Sequence, residues 1–173
     1  MFLSAYRWHR LRALFLASLL MLLIALPVPP VMAITAPELR GQRVMQDIPK
    51  DMHGRDLKEQ EFLKSDLRGV DLSKADLRGA VFNSSQLQEA DLQEADLEDV
   101  VAFASRFDGA DLRGANLANA MLMQSHFENA VIDGADFTDA VLDLNQKNAL
   151  CARAEGINPK SGFTTRESLG CRS

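Results

Sequence analysis

The residues able to do chemistry are few, and their spacing decides what they can do. Beyond residue 33 the chain has two histidines, His53 and His126, and two cysteines, Cys151 and Cys171. No nucleophile–base pair, HExxH, glycine-rich phosphate loop or Cys/His cluster is present. The histidines stand far apart in sequence and read as ordinary surface residues. The cysteines lack the CxxC spacing of a redox pair and have no histidine nearby, which disfavours a metal site. No catalytic residue, cofactor or metal ligand is therefore expected. What remains is carboxylates. Asp and Glu number 24 in all, and many recur at intervals of five. Such columns could bind a cation or imitate nucleic-acid phosphates. They also make a solvated wall, the reading adopted here, with Lys58, Arg68, Lys74, Arg78 and Arg113 placed to offset repulsion.

The interval of five belongs to the whole middle of the chain. Arg55 to Leu144 divides into eighteen consecutive five-residue units without insertion. Each centre is apolar, as at Leu57, Phe62, Leu67, Leu72, Leu77 and Phe82. A small residue stands two places earlier, as at Ala75, Ala80, Ser85 and Ala90, and Asp often lies between the two. Five fits neither helix nor flat strand. It fits a chain that turns one corner per unit. In an extended segment the small residue and the centre point one way and the residue between them the other. The last two residues make the corner, and the repeat glycines Gly69, Gly79, Gly109, Gly114 and Gly134 all fall at its final position, where a turn wants φ > 0. Four corners close a square, so twenty residues should make one coil.

The runs ADLRGA, ADLQEADLED and ADLRGANLANA resemble the pentapeptide-repeat proteins, whose motif is A(D/N)LXX. The resemblance covers 90 of the 173 residues. It implies an all-β solenoid, a right-handed quadrilateral β-helix, and repeat folds of this kind need caps at their ends.

Residues 1–33 read as a signal peptide: Arg7, Arg10 and Arg12, an apolar run Ala13–Leu26 too short to span a bilayer, then Pro27, Pro29 and Pro30 before small residues ending at Ala33. Its removal takes three positive charges and no acid, which changes the net charge from −5 to −8. That excess disfavours nucleic acid and anionic lipid as partners. Residues 34–49 are expected to cap the first coil with a short helix from Thr35 to about Met45, ended by Pro49. The β-helix is placed at 50–144 and a helical C-terminal cap at 145–173. Within that cap Asn145 should cap a first helix that runs through Glu155 with Gly156 as terminator, and a second should start from the capping box Thr164–Glu167. In an exported chain the even pair Cys151 and Cys171 reads as a disulfide closing this tail, for roughly 3 kcal/mol in the chain-entropy model. The tail CARAEGINPKSGFTTRESLGC resembles that of pentapeptide-repeat proteins exported by cyanobacteria to the thylakoid lumen or periplasm.

Counting in twenties sorts the outward residues onto four walls. One column is unlike the others: Glu61, then Val81, Val101, Met121 and Val141, flanked by the corner residues Leu63, Phe103 and Met123. An exposed apolar column usually meets something that covers it. Leu63, Val81, Val101, Phe103, Met121, Met123 and Val141 are therefore the candidate interface, for a protein partner or a second copy, with the tail expected to cap the coil end instead. Ala102 is the one small centre; either Phe82 fills the gap or the backbone bulges to turn Phe103 inward. Two functions fit: an exported, non-enzymatic binding or scaffolding module, or an acidic nucleic-acid mimic of the kind by which some pentapeptide-repeat proteins bind DNA gyrase. Export and a cystine favour the first.

Overall fold

The computed structural model describes residues 48–172. The expected signal peptide and residues 34–47 of the expected N-terminal cap lie outside them.

Each unit from Asp51 to Met121 forms a short parallel bridge with the unit twenty residues later. Four ladders result, each taken here as a wall named by a residue on it. The Asp111 wall stacks Asp51, Asp71, Asp91, Asp111 and Val131; the Asp76 wall stacks Asp56, Asp76, Asp96, Asn116 and Asp136. The Val101 wall stacks Glu61, Val81, Val101, Met121 and Val141; the Arg106 wall stacks Asp66, Gln86, Arg106 and His126. The coil of twenty expected from the period is present.

The motif follows from where the five N–H groups of a unit go. Take the unit centred on Leu77. The small residue Ala75 closes the preceding corner by donating to Leu72 O at 3.1 Å. Asp76 donates to Arg55 O in the coil before, and Leu77 and Gly79 donate to Asp96 O and Glu98 O in the coil after. One N–H is left, that of the first corner residue, and the carboxylate two residues earlier accepts it. Ser73 N donates to Asp71 Oδ1 at 2.9 Å, Gln93 N to Asp91 Oδ1 at 3.0 Å and Arg113 N to Asp111 Oδ1 at 3.1 Å. Asn serves equally: Ala118 N donates to Asn116 Oδ1 at 3.1 Å. Asp or Asn is thus the acceptor for the one donor that stacking leaves over.

Glycine is not what makes the corner. The second corner residue has positive φ in every unit from Gly54 to Asp139, and twelve of those eighteen residues are not glycine. The left-handed conformation costs a non-glycine residue roughly 1–2 kcal/mol. It is held because this residue's N–H reaches the next coil, as Lys74 N does to Gln93 O at 2.8 Å and Ala104 N to Met123 O at 3.0 Å.

The core is two inward columns per wall. Phe62 stacks on Phe82 and Phe107 on Phe127, both pairs with centroids 5.0 Å apart. That matches the roughly 4.8 Å spacing of neighbouring strands. Ala102 is fully buried without any bulge: Ala102 N reaches Met121 O at 2.9 Å and the corner bond of Ala104 is intact, while Phe103 stays outside, 44% exposed. In the same unit Val100, a larger residue in the small column, is also fully buried. At the corner between the Val101 and Arg106 walls the small residue is always serine. Ser85, Ser105 and Ser125 donate their hydroxyls to the carbonyls of Phe62, Phe82 and Ala102, so these buried hydroxyls are satisfied.

The tail closes the last coil. Helix α1 spans Leu144–Cys151 and helix α2 spans Thr165–Ser168. The N-cap of the first is Asp143, two residues before the expected Asn145, and the helix stops at Cys151 rather than Glu155. The second has the expected capping box, Thr164 with Glu167. Leu150, Ala154 and Leu169 are buried on the core, whereas Ile157 and Phe163 are exposed. The open backbone is met by polar groups. Arg153 donates to the carbonyls of Phe127 and Ala130, Phe137 N donates to Ser168 Oγ at 3.0 Å, and Gly134 N to Glu155 O at 2.8 Å. Gly156 does not terminate a helix. It presses on the solenoid, where an added Cβ would lie 2.6 Å from Gly134 N. The sulfurs of Cys151 and Cys171 are bonded at 2.00 Å, tying α1 to the segment after α2.

Candidate functional site

The outward position of a unit is the one before its centre, so a wall takes its chemistry from that column alone. On three walls the column is largely Asp, Asn, Gln or Arg. On the Val101 wall it is aliphatic. Parallel bridges join Val81, Val101, Met121 and Val141 in one uninterrupted ladder. Met121 is 51% and Val141 45% exposed, and Val81 and Val101 are half-buried by the pleat. Phe103 and Met123 follow on the adjoining corner at successive coils, 44% and 42% exposed. Leu63 is exposed too, but Asn83 stands between it and Phe103, so it lies at the margin of the patch.

Losing Asp from this column removes the usual acceptor for the corner N–H. The chain replaces it from the coil before: Asn83 Oδ1 accepts Phe103 N at 2.9 Å. At the far end it is the second corner N–H, that of Gln124, which is taken by a side chain, Asp143 Oδ2 at 2.6 Å, in place of the usual carbonyl of the next coil. At Phe103 a neighbouring polar side chain thus supplies the acceptor that the apolar column lacks.

The tail does not cover this wall. Leu144, where the tail departs, is 70% exposed. The segment after α1 turns onto the corner between the Asp111 and Asp76 walls, where Asn158 is buried and donates to the carbonyls of Gly114, Ala115 and Gly134. Its Oδ1 accepts Lys160 N and Ser161 N at 2.9 and 3.0 Å, which shapes the loop that lies over Asp136. Asp136 is buried, its carboxylate taking Thr138 N and Thr138 Oγ1. Sequence reasoning missed this docking. An Asn followed by Pro in a loop is ordinary turn chemistry, and nothing in its spacing announces a buried amide.

The acidic columns are largely engaged internally. Asp66 and Asp76 each receive two guanidinium bonds, from Arg68 and Arg78, which hold both carboxyls well below the usual carboxylate range. Lys58 adds an ion pair to Asp76 at 3.0 Å. Burial pushes Asp111 up, but Arg113 outweighs it and the carboxyl is lowered. Asp71 is lowered by the Ser73 hydroxyl. Among the described residues no group of three or more His, Cys, Asp or Glu side chains is placed to hold a metal ion. His53 bonds Ser73 Oγ at 2.7 Å on a corner and His126 sits on the Arg106 wall, so the two do not meet. A depression of about 370 Å³ lies at the capped end, bordered by Lys147, Glu167, Ser168 and Gly170.

A four-walled solenoid with a plugged end and one apolar wall defines a class of protein that presents surfaces rather than a cleft. The comparisons place it further. The model for pentapeptide repeats matches in eight copies over residues 63–101 and 105–143. A pentapeptide repeat protein from the Arabidopsis thaliana thylakoid lumen is 32% identical over 72% of this chain and 91% of its own, with a TM-score of 0.39. HetL, a pentapeptide repeat protein involved in heterocyst differentiation regulation from the cyanobacterium Nostoc sp. strain PCC 7120, is 23% identical over 53% of this chain and 48% of its own, with a TM-score of 0.37. The chloroplastic thylakoid lumenal protein TL20.3 of Arabidopsis thaliana is 61% identical over 31 residues, 18% of this chain, and the match spans only 11% of that protein's length. This chain belongs to the pentapeptide-repeat family, and with it to the right-handed β-helix solenoids.

Proposed function

We propose that this protein is an exported, non-enzymatic binding module that offers the Val101 wall to a protein partner in the thylakoid lumen or periplasm. One observation carries the reading: Val81, Val101, Met121 and Val141 form an unbroken outward column that the tail leaves uncovered. Each such side chain left wet forgoes on the order of 1 kcal/mol of burial. An apolar ladder of this length on a wall otherwise built for water points to a surface that is covered in use. Likeness to lumenal proteins and the bonded cysteines support an oxidising compartment. Among the described residues no helix is long and apolar enough to cross a membrane. The rival reading, an acidic mimic of nucleic acid, is weakened because the Asp columns are spent on backbone N–H groups and arginines.

The test is the double substitution Val101→Lys with Met121→Lys. Chemical cross-linking and sedimentation of the protein in its own compartment should show an association that the variant loses, with thermal unfolding shifted by no more than about 2 °C, as expected for surface sites. Cooperative unfolding of the variant at much lower temperature would mean the wall is buried within the molecule. Identical cross-linking before and after substitution would remove the wall from the function.

A further inference from the structure

Resting on the reading of the Val101 wall as a protein-binding surface, we infer that its occupant is an amphipathic helix of another protein, lying along the solenoid axis, with Lys or Arg on one flank of its apolar stripe. The wall's dimensions select a helix. It is about 10 Å wide, three residues of extended chain, and its anchors repeat at roughly 4.8 Å from coil to coil. A helix with its side chains is about 10–12 Å across and returns the same face every ~5.4 Å. One anchor per turn therefore stays near one residue per coil from Val81 to Val141. An extended peptide along the same axis repeats a face every ~6.8 Å and slips out of step by the second coil. Phe103 and Met123, beside the column, widen the apolar track on one side only.

Charge selects the flank. On the other side of the column the second corner position carries Glu59, Asp99 and Asp139, all exposed, with Gly79 and Asn119 between them, while the bases of that corner, Lys58 and Arg78, are turned to Asp76 on the next wall. Among the described residues none of these three carboxylates is in an ion pair, in contrast to Asp66, Asp76 and Asp111. Across the column the corner carries a charge only at its two ends, Lys64 beside Leu63 and Asp143 beside Val141, the latter taken by Gln124 N, and the wall beyond carries Arg106, already paired with Asp108 at 2.9 Å. The wall thus offers an apolar track with one line of unpaired carboxylates, and a line of cations on the ligand completes it.

A second copy fits worse. Face to face and antiparallel, it sets Glu59, Asp99 and Asp139 against the same carboxylates; parallel, it sets them against Phe103 and Met123 and desolvates them unpaired.

The experiment uses the full mature chain and three fluorescent 18-residue peptides: a helix with a Leu stripe and Lys on one flank, the same helix with Glu on that flank, and a scramble of the Lys peptide. Anisotropy is read at low and at physiological salt. The Lys-flanked helix should bind at least about tenfold more tightly than the other two, and more weakly as salt rises. Asp99→Asn with Asp139→Asn should weaken it about fivefold, and the charge-neutral pair Val101→Ser with Met121→Gln should abolish it. If the Glu-flanked helix binds equally well, the inferred flank is wrong while the wall stays a binding surface. If the scramble binds as tightly, or the Val101→Ser, Met121→Gln variant still binds, the helix inference is overturned. The cross-linking experiment above then decides separately whether the wall binds protein at all. If only the second copy competes, seen as concentration-dependent sedimentation, the partner is this chain itself and the inference fails.

Discussion

Asp91 carries two loads that look alike in the sequence: it solvates a wall and it accepts the N–H of Gln93. Only the second is structural, and the two can be separated. Asp91→Asn keeps an oxygen acceptor and should leave stability within about 0.5 kcal/mol, whereas Asp91→Ala leaves the donor without its partner and should cost roughly 1 kcal/mol. Urea unfolding of the two variants checks this; equal losses would return the Asp column to solvation alone. The sequence made the Asp column visible but not its purpose, because a hydrogen bond two residues along leaves the same trace as a preference for surface charge. The left-handed corners were visible only through the repeat glycines that mark their position, such as Gly69 and Gly114. Lys74 and Ala104 carry no local signal for positive φ, since the conformation is imposed by a bond to a residue nineteen places on. The reversal of sizes at Val100 and Ala102 was legible in principle, as a large residue in the small column beside a small residue in the large one.

The tail is the element in which the sequence was least informative. Its capping box and its cysteine pair stand out because each is a short motif with a known geometry. The docking of Gly156 and Asn158 at the corner between the Asp111 and Asp76 walls, and of Ser161 on the latter, has no period to reveal it. One consequence concerns acid. Burial pushes Asp136 up, but bonds from Ser161 and Thr138 outweigh it and lower the carboxyl from its ordinary value of 3.8. A carboxyl lowered on folding stabilises the fold above its unfolded value and loses that contribution as the pH falls through the folded one. The loop should therefore loosen from the wall below pH 3.8, and not on mild acidification. Limited proteolysis across that range, monitored at Lys160, should show cleavage rising only at the acid end. Asp136→Asn should flatten the rise, and a profile unchanged by that substitution would assign the loosening to another carboxylate.

At the scale of the repeat region, cohesion is local: each coil bonds only the coils before and after it. Damage at one end should therefore stay there. Cys171→Ala, which removes the tie between α1 and the final residues, should free the tail to hydrogen exchange while amides between Asp71 and Asp111 remain protected. Loss of protection throughout would mean that the cap governs the whole domain. The walls were the most legible part of the molecule, because membership of a wall follows from counting alone and needs no knowledge of packing.

The same counting constrains how such a gene can change length. A duplicated block of twenty residues would add one coil and extend every ladder by one rung, leaving the order Val81, Val101, Met121, Val141 on a single wall. An insertion of five would keep every bond type and still turn all later residues by a quarter of the coil, so that Met121 and Val141 would pass to the neighbouring wall and the apolar track would break into a step. Inheritance in units of four repeats preserves what the surface recognises, whereas inheritance in single repeats preserves only the fold.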